Sequence, residues 1–450
     1  MDALLSIFWG LLIFSFLVFI HEGGHFLSAR LFGARVLEFF IGMPSKHQIS
    51  FVSKKNGTRF GITALLFGGY ARIAGMDMGK PNPHLSFALA LVNARGEISI
   101  KDAAHMMDVS VEEAASALFN LESYGSIQLK EGSDLDKDQE HAIYQTVARD
   151  PEGKTIFDKG ARLDARGATK AGEPYLTKLS GDEVLARERE KTYVGLSIQK
   201  RIIVLLAGII VNLLFAYIIF VAVFMSQGLT VAENTIKDVQ QDSIAMQEGM
   251  KAGDSITKID GKEISDGMGL LSALQEVRGK GNFSVEYKSK AESKTQSFDT
   301  ELTSGENLGV MLESHTQKLG FVDASNYALK NMVLTAQAIA NLFNPAGFMN
   351  TVSNSSSVVG VAVLAKDAAQ AGIWPLLSLA AAISLSLGLM NLLPIPPLDG
   401  GKVVIEIIQA ITKRPVSQKV QVIVSMVGIA LFMLLFFVLV GQDIFRIIGR

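Results

Sequence analysis

Four long apolar stretches dominate the pattern of hydrophobic and polar positions along the chain. They lie at roughly 4–29, 202–225, 375–393 and 420–441. Each is close to the ~20 residues that a helix needs to cross the hydrocarbon core of a bilayer. The first stretch contains charged residues near its far end, and the third is shorter and finishes at Asn391 and Pro394. The pattern therefore predicts four transmembrane helices.

A different pattern occupies residues 59–73, RFGITALLFGGYARI, where β-prone and apolar residues alternate around Gly68 and Gly69. It is typical of a β-hairpin that is too hydrophobic to be stable in water. Backbone at membrane depth must be satisfied by protein or by a water-lined cavity. We therefore expect a membrane-associated β-hairpin that borders an internal cavity. The alternative is an ordinary cytoplasmic hairpin, because short apolar runs are ambiguous.

The segment 84–131 is soluble in character and indicates a helix, a strand, two helices and a strand. This order resembles a winged helix-turn-helix. A version that binds DNA carries a basic recognition helix, whereas this window is acidic. Its basic residues are Arg95, Lys101 and Lys130, and its acidic residues are Glu97, Asp102, Asp108, Glu112, Glu113, Glu122 and Glu131. We expect a protein-contact or structural module and no nucleic-acid partner. Residues 132–195 are polar and are expected to form a loose connection or the remainder of this module.

Residues 229–315 alternate short β-prone runs with glycine turns. Tight turns are indicated at Ala252-Gly253-Asp254 and at Asp260-Gly261. A helix, a GD turn, an apolar strand and a DG turn follow in the order that PDZ domains use, so the segment resembles a PDZ domain. Such domains usually bind an extended chain along the edge of a sheet.

The composition supports a polytopic α-helical membrane protein. Hydrophobic residues make up 49% of the 450 residues, the mean hydropathy is +0.30 and there are 26 phenylalanines. A soluble protein of this size would struggle to bury so much apolar surface. The formal net charge of −2 gives no general attraction to polyanions. Because cysteine is absent from the sequence, any metal must be bound by His, Asp or Glu.

Basic residues beside the apolar stretches predict the orientation of the chain. They are Arg30, Arg35, Lys200, Arg201, Lys402, Lys413, Arg414 and Lys419. By the positive-inside rule these flanks are cytoplasmic. Both termini and residues 226–374 are then expected outside.

The charged residues of the first stretch form the motif His21-Glu22-Gly23-Gly24-His25, which fits H-E-x-x-H. Residues four apart lie on one face of a helix, so both imidazoles can reach one Zn²⁺. Glu22 then lies beside the metal, where it can act as general base and pass a proton to the leaving amine. The alternative is a pair of structural histidines. Ionisable groups in a membrane span are costly and usually functional, so the sequence favours a zinc hydrolase.

A catalytic zinc normally has three protein ligands, so one is still to be found. The remaining histidines all lie in hydrophilic segments, and they are His47, His84, His105, His141 and His315. The best carboxylate is Asp399, which follows the third apolar stretch in NLLPIPPLDGG at 391–401. The alternative is that Asp399 is a cytoplasmic turn residue, since Pro and Gly break the helix at this point.

Together these features resemble the site-2 protease family of intramembrane zinc metalloproteases, in its PDZ-containing, bacterial regulator-of-sigma-E protease type. The resemblance rests on HExxH in the first span, the GGY hairpin, the PDZ-like segment and N-x-x-P-x-x-P-L-D-G, and it covers nearly the whole chain except 82–195. It implies that His21, His25 and Asp399 bind zinc and that Glu22 is the general base. It also implies substrate-binding roles for Asn391, Pro394, Pro397, Gly68, Gly69 and Tyr70.

The same resemblance implies an endopeptidase of regulated intramembrane proteolysis in the bacterial cell (inner) membrane, with its active site near the cytoplasmic side. Its substrates would be single-span membrane proteins, such as anti-sigma factors or signal-peptide remnants, after a first cut by an upstream protease. The PDZ domain would be an extracytoplasmic substrate gate. Ile209 stands where the family often has proline, so the second span is expected to be straighter. Asn212 is kept, and it either hydrogen-bonds within the bundle or packs there.

Two other classes of function are compatible with parts of the sequence. A catalytically idle scaffold would bind client tails through the PDZ domain. The presence of Glu22 and of a plausible third zinc ligand argues against this function. A metal transporter would need several intramembrane carboxylates or histidines, and the spans supply almost none beyond the one site.

The predicted organisation follows from these patterns. Its segments are 1–81 with the first transmembrane helix and the hairpin, 82–195 as the cytoplasmic winged-helix-like insert, 196–228 as the second transmembrane helix, 229–315 as the PDZ domain, 316–374 as an extracytoplasmic connection, and 375–450 with the last two transmembrane helices and the Asp399 motif.

Overall fold

The computed structural model describes residues 2–448 except 77–81, 134, 136, 164–166, 280, 293, 303–306, 345–346, 349–350, 353–354 and 415. The chain divides into two compact units, one formed by Met1–Ile219 with Asn331–Arg450 and the other by Phe220–Lys330. The predicted boundary between segments 1–81 and 82–195 falls directly after residue 81, which lies outside the described residues.

The helices follow one another along the chain with these bounds. They are α1 (Asp2–Leu31), α2 (Leu85–Arg95), α3 (Ile100–Met107), α4 (Val111–Ser123), α5 (Ile156–Lys159), α6 (Gly181–Glu190), α7 (Ile198–Gln227), α8 (Ile244–Gln247), α9 (Gly267–Val277), α10 (Phe321–Asn341), α11 (Val358–Ala371), α12 (Ile373–Asn391), α13 (Asp399–Thr412) and α14 (Gln418–Ile448). Short 3₁₀ turns occupy Gly160–Leu163 and Tyr193–Gly195.

The strands of the described residues belong to three sheets. They are β1 (Val36–Ile41), β2 (Gln48–Val52), β3 (Arg59–Thr63), β4 (Gly69–Ile73), β5 (Glu97–Ser99), β6 (Ile127–Leu129), β7 (Ile143–Thr146), β8 (Leu229–Val239), β9 (Ser255–Ile259), β10 (Lys262–Glu263), β11 (Phe283–Lys288), β12 (Thr295–Thr300) and β13 (Val310–Gln317).

Among the described residues, four helices are long and apolar enough to cross a membrane. They are Leu4–Leu31, Ile198–Gln227, Ile373–Asn391 and Lys419–Asp443. These confirm the four predicted spans, with ends that differ from the expected ones by a few residues. The second span continues through Ile209 without a break, as expected where no proline removes a backbone hydrogen bond.

The first span is held in place by α11, which lies along it. A Cβ atom added at Gly10 would be only 2.9 Å from the Cβ atom of Ala362, so the two helix backbones approach closely there. Leu17 of α1, Ala365 of α11 and Ala380 of α12 share one buried core. The predicted connection at 316–374 therefore contains helices, and one of them helps to fix α1.

The strand order of the first sheet is β2-β3-β1-β4. The predicted hairpin at 59–73 is therefore wrong, because β3 and β4 form but β1 lies between them, parallel to β3 and antiparallel to β4. The reason is that β1, with the sequence VLEFFI, buries residues on both faces, including Phe39 and Phe40, which is typical of a central strand. The hairpin that does form pairs β2 with β3.

The helices and strands predicted between 84 and 131 are present as α2, β5, α3, α4 and β6. The start of α4 is fixed by Ser110 and Glu113, which form a capping box. Strand β7 was not predicted, and it completes a three-stranded sheet in the order β5-β7-β6. Apolar side chains such as Leu89, Leu118 and Tyr144 fill the core. For residues 132–195 we expected either a loose connection or the remainder of the module. Strand β7 belongs to the module's sheet, so the second expectation describes this part of the segment better.

A buried ionic cluster joins this module to the segment after α1. The Arg35 guanidinium is 2% exposed, and it lies 2.6 Å from both the Asp158 carboxylate and the Glu188 carboxylate. Glu188 also accepts from Arg149 at 2.5 Å and from Ser126 at 2.6 Å. Because charges this deeply buried need partners, the module and the start of β1 are held together.

The unit Phe220–Lys330 has its own sheet and core. The strand order is β12-β11-β9-β8-β13, with β10 paired to β9. Helix α9 packs against β8 and β9, and buried residues such as Ile236, Leu270 and Val285 form the core. Strand β13 is at one edge of this sheet, and most of its residues are exposed.

Candidate metal centre

The histidine motif lies inside the long helix α1. Its two histidines are therefore on one helix face, as their spacing predicts. His21 and His25 are 6% and 5% exposed, and their Nε2 atoms are 3.2 Å apart. Residues four apart face the same side of a helix. Both rings therefore point into the protein at one place.

Asp399 completes the group from the first turn of α13. Its Oδ2 atom is 3.0 Å from His21 Nε2 and 3.2 Å from His25 Nε2, although more than 370 residues separate it from them in sequence. Among the described residues, these side chains are the one group of three His, Asp or Glu that is close enough to hold a metal. Asp399 is 8% exposed and is the first residue of α13, so the structure places it in a helix and not in a turn.

The spacing of these atoms fits zinc. With bonds of about 2.0–2.1 Å, tetrahedral zinc holds its ligand atoms about 3.3–3.4 Å apart, and the three edges here are 3.0, 3.2 and 3.2 Å. When both Nε2 atoms are unprotonated, all three atoms are acceptors and would repel one another without a cation between them. Two imidazoles and one carboxylate are also a usual donor set for catalytic zinc, with a fourth position left for substrate.

The second ring nitrogen of each histidine faces α7. His25 Nδ1 lies 2.7 Å from the Val204 carbonyl oxygen. A carbonyl only accepts, so Nδ1 carries the proton and Nε2 keeps its lone pair for a metal.

His21 Nδ1 lies 3.3 Å from the amide of Asn212, whose Oδ1 atom is buried without another partner. Rotating this amide by half a turn places Oδ1 as the acceptor for His21 Nδ1–H. His21 Nε2 is then also available as a ligand. The buried amide oxygen thus obtains its partner in the arrangement that zinc requires.

Close packing between α1 and α7 brings the imidazoles against backbone. A Cβ atom at Gly208 would lie 2.5 Å from His25 Nε2 and 2.8 Å from His21 Cε1. A Cβ atom at Gly24 would lie 2.6 Å from the Ala207 carbonyl oxygen. Glycine at both positions therefore allows the approach that places the rings.

Glu22 points toward β4. Its Oε2 atom accepts a hydrogen bond from the backbone N–H of Ala71 at 3.0 Å. The opposite edge of β4 pairs with β1, so the edge that faces Glu22 is the outer edge of the sheet. The Asp399 carboxylate supplies an anionic oxygen that suits a divalent cation, and Lys402 Nζ lies 4.0 Å from Asp399 Oδ1.

The structure separates the predicted substrate-binding residues of the first sheet. Gly69 begins β4, the strand beside Glu22, and Gly68 precedes it with a φ of 93° that favours glycine. The Tyr70 hydroxyl instead donates to Glu38 at 3.1 Å, and its ring stacks on Phe40. The phenol of Tyr70 is therefore engaged within the sheet.

The other predicted substrate-binding residues lie around the turn that leads to Asp399. Asn391 ends α12, and its side chain donates to the Leu387 carbonyl at 3.0 Å. Pro394 and Pro397 lie in the connection to α13. A Cβ atom at Gly400 would be 2.3 Å from the Leu392 carbonyl oxygen, so this connection packs tightly against the first turn of α13.

Sequence reasoning missed several neighbours of the histidines. The Val204 carbonyl and the Ala71 N–H are backbone groups, which no motif reveals. Gly208 was also missed. It lies four residues before Asn212 on α7, so a small residue on the same helix face as an amide was the available signal. Asn212 was expected either to hydrogen-bond or to pack, and the structure shows the hydrogen bond.

Comparisons with known proteins find relatives that match nearly the whole chain. The sequence model of Peptidase family M50 matches residues 9–435. The zinc metalloprotease RasP of Geobacillus kaustophilus is 27% identical over 452 residues, which is 98% of each chain. The regulator of sigma-W protease RasP of Bacillus subtilis is 28% identical over 443 residues, which is 97% of each chain.

Proposed function

Because this chain belongs to peptidase family M50, the site-2 protease family, it is a zinc metalloprotease, and we propose that it hydrolyses peptide bonds in or near the transmembrane segments of other membrane proteins. The observation that carries this proposal is the convergence of His21, His25 and Asp399 at a place where α1 is long and apolar enough to span a bilayer. A substrate bond that reaches these residues is therefore at membrane depth.

His21, His25 and Asp399 hold the zinc ion in this proposal. Bound zinc supplies a Lewis acid that polarises the scissile carbonyl and makes water acidic near neutral pH. Glu22 is the general base that accepts the proton from the attacking water and then gives it to the leaving amine. The Ala71 N–H holds the Glu22 carboxylate in position.

The outer edge of β4 receives the substrate as an added strand. Ala71 pairs with Phe39 but directs its N–H toward Glu22, and Gly69, two residues before it, has the same orientation by strand alternation. A substrate segment that unwinds from a helix and pairs here would lie beside the zinc ligands. Gly68 and Gly69 let its backbone approach, and Tyr70 braces the strand through Glu38.

The turn at 391–398 shapes the other side of this site. Asn391, Pro394 and Pro397 fix the path of the chain into α13, because proline restricts the backbone. They are close in sequence to Asp399, so the same turn that positions the third ligand also presents a surface to the substrate.

Substrate choice involves the unit Phe220–Lys330, which we assign as the PDZ domain predicted at 229–315. Its order of strand, short helix, strand, hairpin and helix, followed by further strands, supports this assignment. The exposed edge strand β13 offers backbone groups for pairing with an extended peptide. The domain would act as an extracytoplasmic gate.

The substrates would be single-span membrane proteins already cut by an upstream protease, such as anti-sigma factors or signal-peptide remnants. The name of the Bacillus subtilis relative, a regulator of sigma-W protease, supports the anti-sigma class. The protein would lie in the bacterial inner membrane with its active site toward the cytoplasm, as its basic flanks indicate.

The insert at 82–195 is proposed as a winged-helix-like module that contacts protein. The helix and strand order and the sheet order β5-β7-β6 support the resemblance. Glu112 and Glu113 in the first turn of α4 are exposed and would repel phosphates. Nucleic acid is therefore not proposed as a partner.

The test is cleavage of a model single-span substrate by full-length protein in lipid, comparing the parent with Glu22→Gln. Losing a general base typically lowers a rate by about 10²–10⁴-fold, and we expect such a loss with zinc content unchanged. Glu190→Gln, which changes an exposed acid at the end of α6, is the matched control and should cleave normally. Equal cleavage by Glu22→Gln and the parent would exclude the proposed mechanism.

A further inference from the structure

Helix α13 buries a second acidic residue besides Asp399. Its buried residues are Asp399, Gly400, Gly401 and Glu406, while Ile407, Ile408 and Ile411 are exposed. Asp399 and Glu406 are seven residues apart, which is close to two helical turns and puts them on one face. Glu406 is 8% exposed, so its charge needs partners inside the protein.

Arg201 and Tyr193 supply these partners. Arg201 Nη1 lies 3.0 Å from Glu406 Oε2 and 3.2 Å from Glu406 Oε1. The Tyr193 hydroxyl donates to Glu406 Oε1 at 3.1 Å. Burial is the main cause that raises the pKa of Tyr193, and the neighbouring Glu406 carboxylate raises it further. The phenol therefore stays protonated and remains a hydrogen-bond donor.

Each partner is rigidly connected to another part of the metal site. Arg201 is in the first turn of α7, three residues before Val204, whose carbonyl accepts from His25. The Tyr193 backbone N–H donates to the Ala74 carbonyl at 2.7 Å, directly after β4. The Glu406 carboxylate therefore joins α13 to the helix that orients the histidines and to the strand that faces Glu22.

The first turn of α13 is otherwise held by packing at two glycines. Gly400 and Gly401 lie against the backbone of Leu392 and Pro396, which limits the translation of the helix but leaves its tilt to contacts further along. Two turns later, the ion pair is a directional contact on the same face. A change of tilt there would move Asp399 relative to the two imidazoles.

We propose that Glu406, through its ion pair with Arg201 and its hydrogen bond from Tyr193, is a positioning residue that sets the place of Asp399 in the zinc site. Glu406 does not touch the metal in this proposal and acts through the orientation of α13. The proposal rests on the proposed function, because it takes Asp399 as the third ligand.

The experiment measures the zinc dissociation constant of full-length protein in detergent, by competition with a chromogenic chelator, together with kcat and KM. Glu406→Gln keeps the shape and removes the charge, and Glu406→Asp keeps the charge with a shorter reach. Gln409→Ala changes a polar residue on the same helix that lines the same 480 Å³ cavity as Glu406, and it is the matched control.

Direct contacts that orient metal ligands typically contribute about 10–100-fold to metal affinity. Glu406 acts on Asp399 indirectly, through α13, so we expect Glu406→Gln to weaken zinc binding by about tenfold, the lower end of this range. Glu406→Asp should recover part of this loss, and Gln409→Ala should match the parent. The loss of activity should be in kcat, with KM unchanged. Parental zinc affinity in Glu406→Gln, or a change in KM alone, would overturn the proposal.

If Glu406→Gln fails to fold, Tyr193→Phe decides the question, because it keeps the ion pair and removes one hydrogen bond. Weaker zinc binding by folded Tyr193→Phe supports the positioning role, and parental binding overturns it. Asp399→Asn is measured beside these variants. If it keeps zinc, the ligand assignment fails; if it loses zinc while Glu406→Gln keeps it, only the positioning role fails.

Discussion

His25 Nδ1 lies 2.7 Å from the carbonyl oxygen of Val204, so the backbone of α7 fixes which nitrogen of the ring is left for a metal. The same helix carries Asn212 beside His21. Both histidines of α1 are therefore oriented by one neighbouring helix. The geometry of the metal site depends on how α7 packs as much as on the histidine motif itself.

The Asn212 amide leads to the first prediction. Asn212→Leu has a similar shape but offers no acceptor to His21 Nδ1–H, and we expect it to weaken zinc binding about 10–100-fold. Asn212→Asp still offers an acceptor and should bind zinc nearly as well as the parent. Chelator competition measures both. Equal losses in the two variants would show that the amide does not accept from His21.

The close approach of Gly208 leads to a second prediction. Gly208→Ala introduces a methyl group 2.5 Å from His25 Nε2 in the present arrangement, so α7 or the rings must move. We expect zinc binding to fall at least about tenfold, by the usual effect of displaced ligand contacts. Gly23→Ala is the control, because a Cβ atom there meets nothing within 4 Å. Metal analysis of purified protein distinguishes them, and full zinc content in Gly208→Ala would contradict the packing argument.

Local signals in the sequence were sufficient for some features and not for others. The spacing of His21 and His25, and the lengths of the four apolar stretches, depend only on helix geometry, and both were predicted correctly. The position of β1 between β3 and β4 was missed, because strand order depends on pairing between distant residues. The sequence predicts only a cytoplasmic flank for Arg35, because its contacts with Asp158 and Glu188 join residues more than 100 positions apart.

The Glu188 cluster leads to a third prediction, on pH. Burial alone would raise the pKa of Glu188, but the guanidinium groups of Arg149 and Arg35 lower it from 4.5 to about 2. A lowered carboxyl pKa contributes stability that is complete above the unfolded pKa and is lost as the pH falls through the folded pKa. This contribution, on the order of 3 kcal/mol, should therefore disappear between about pH 4.5 and pH 2.

Hydrogen exchange of residues 97–146 in the full-length protein measures this effect. Parent protection should fall across that pH window. Glu188→Gln should be less protected at neutral pH, because it leaves two buried guanidinium groups without their shared carboxylate, and its protection should depend less on pH. Glu152→Gln changes an exposed acid and should behave as the parent. A parental pH slope in Glu188→Gln would assign the acid sensitivity to other groups.

The exposed edge of β4 leads to the last prediction, which concerns the substrate. In a strand added to β4, every second residue directs its N–H toward Gly69 or Ala71, and the residues between direct theirs away. Proline has no N–H to donate. Proline placed at successive positions around the cleavage point should therefore lower cleavage at alternate positions only. At the positions between, it should be tolerated or should help, because proline also destabilises the substrate helix.

Alanine at the same substrate positions is the control, since it keeps the N–H at every position. Cleavage is followed with full-length protein in lipid, and the zinc content of the enzyme is the same in every assay, so that only pairing changes. A loss that grows smoothly toward the cleavage point, without alternation, would mean that the substrate does not pair with β4. A period of two residues is the signature of a strand, and a substrate bound as a helix would not produce it.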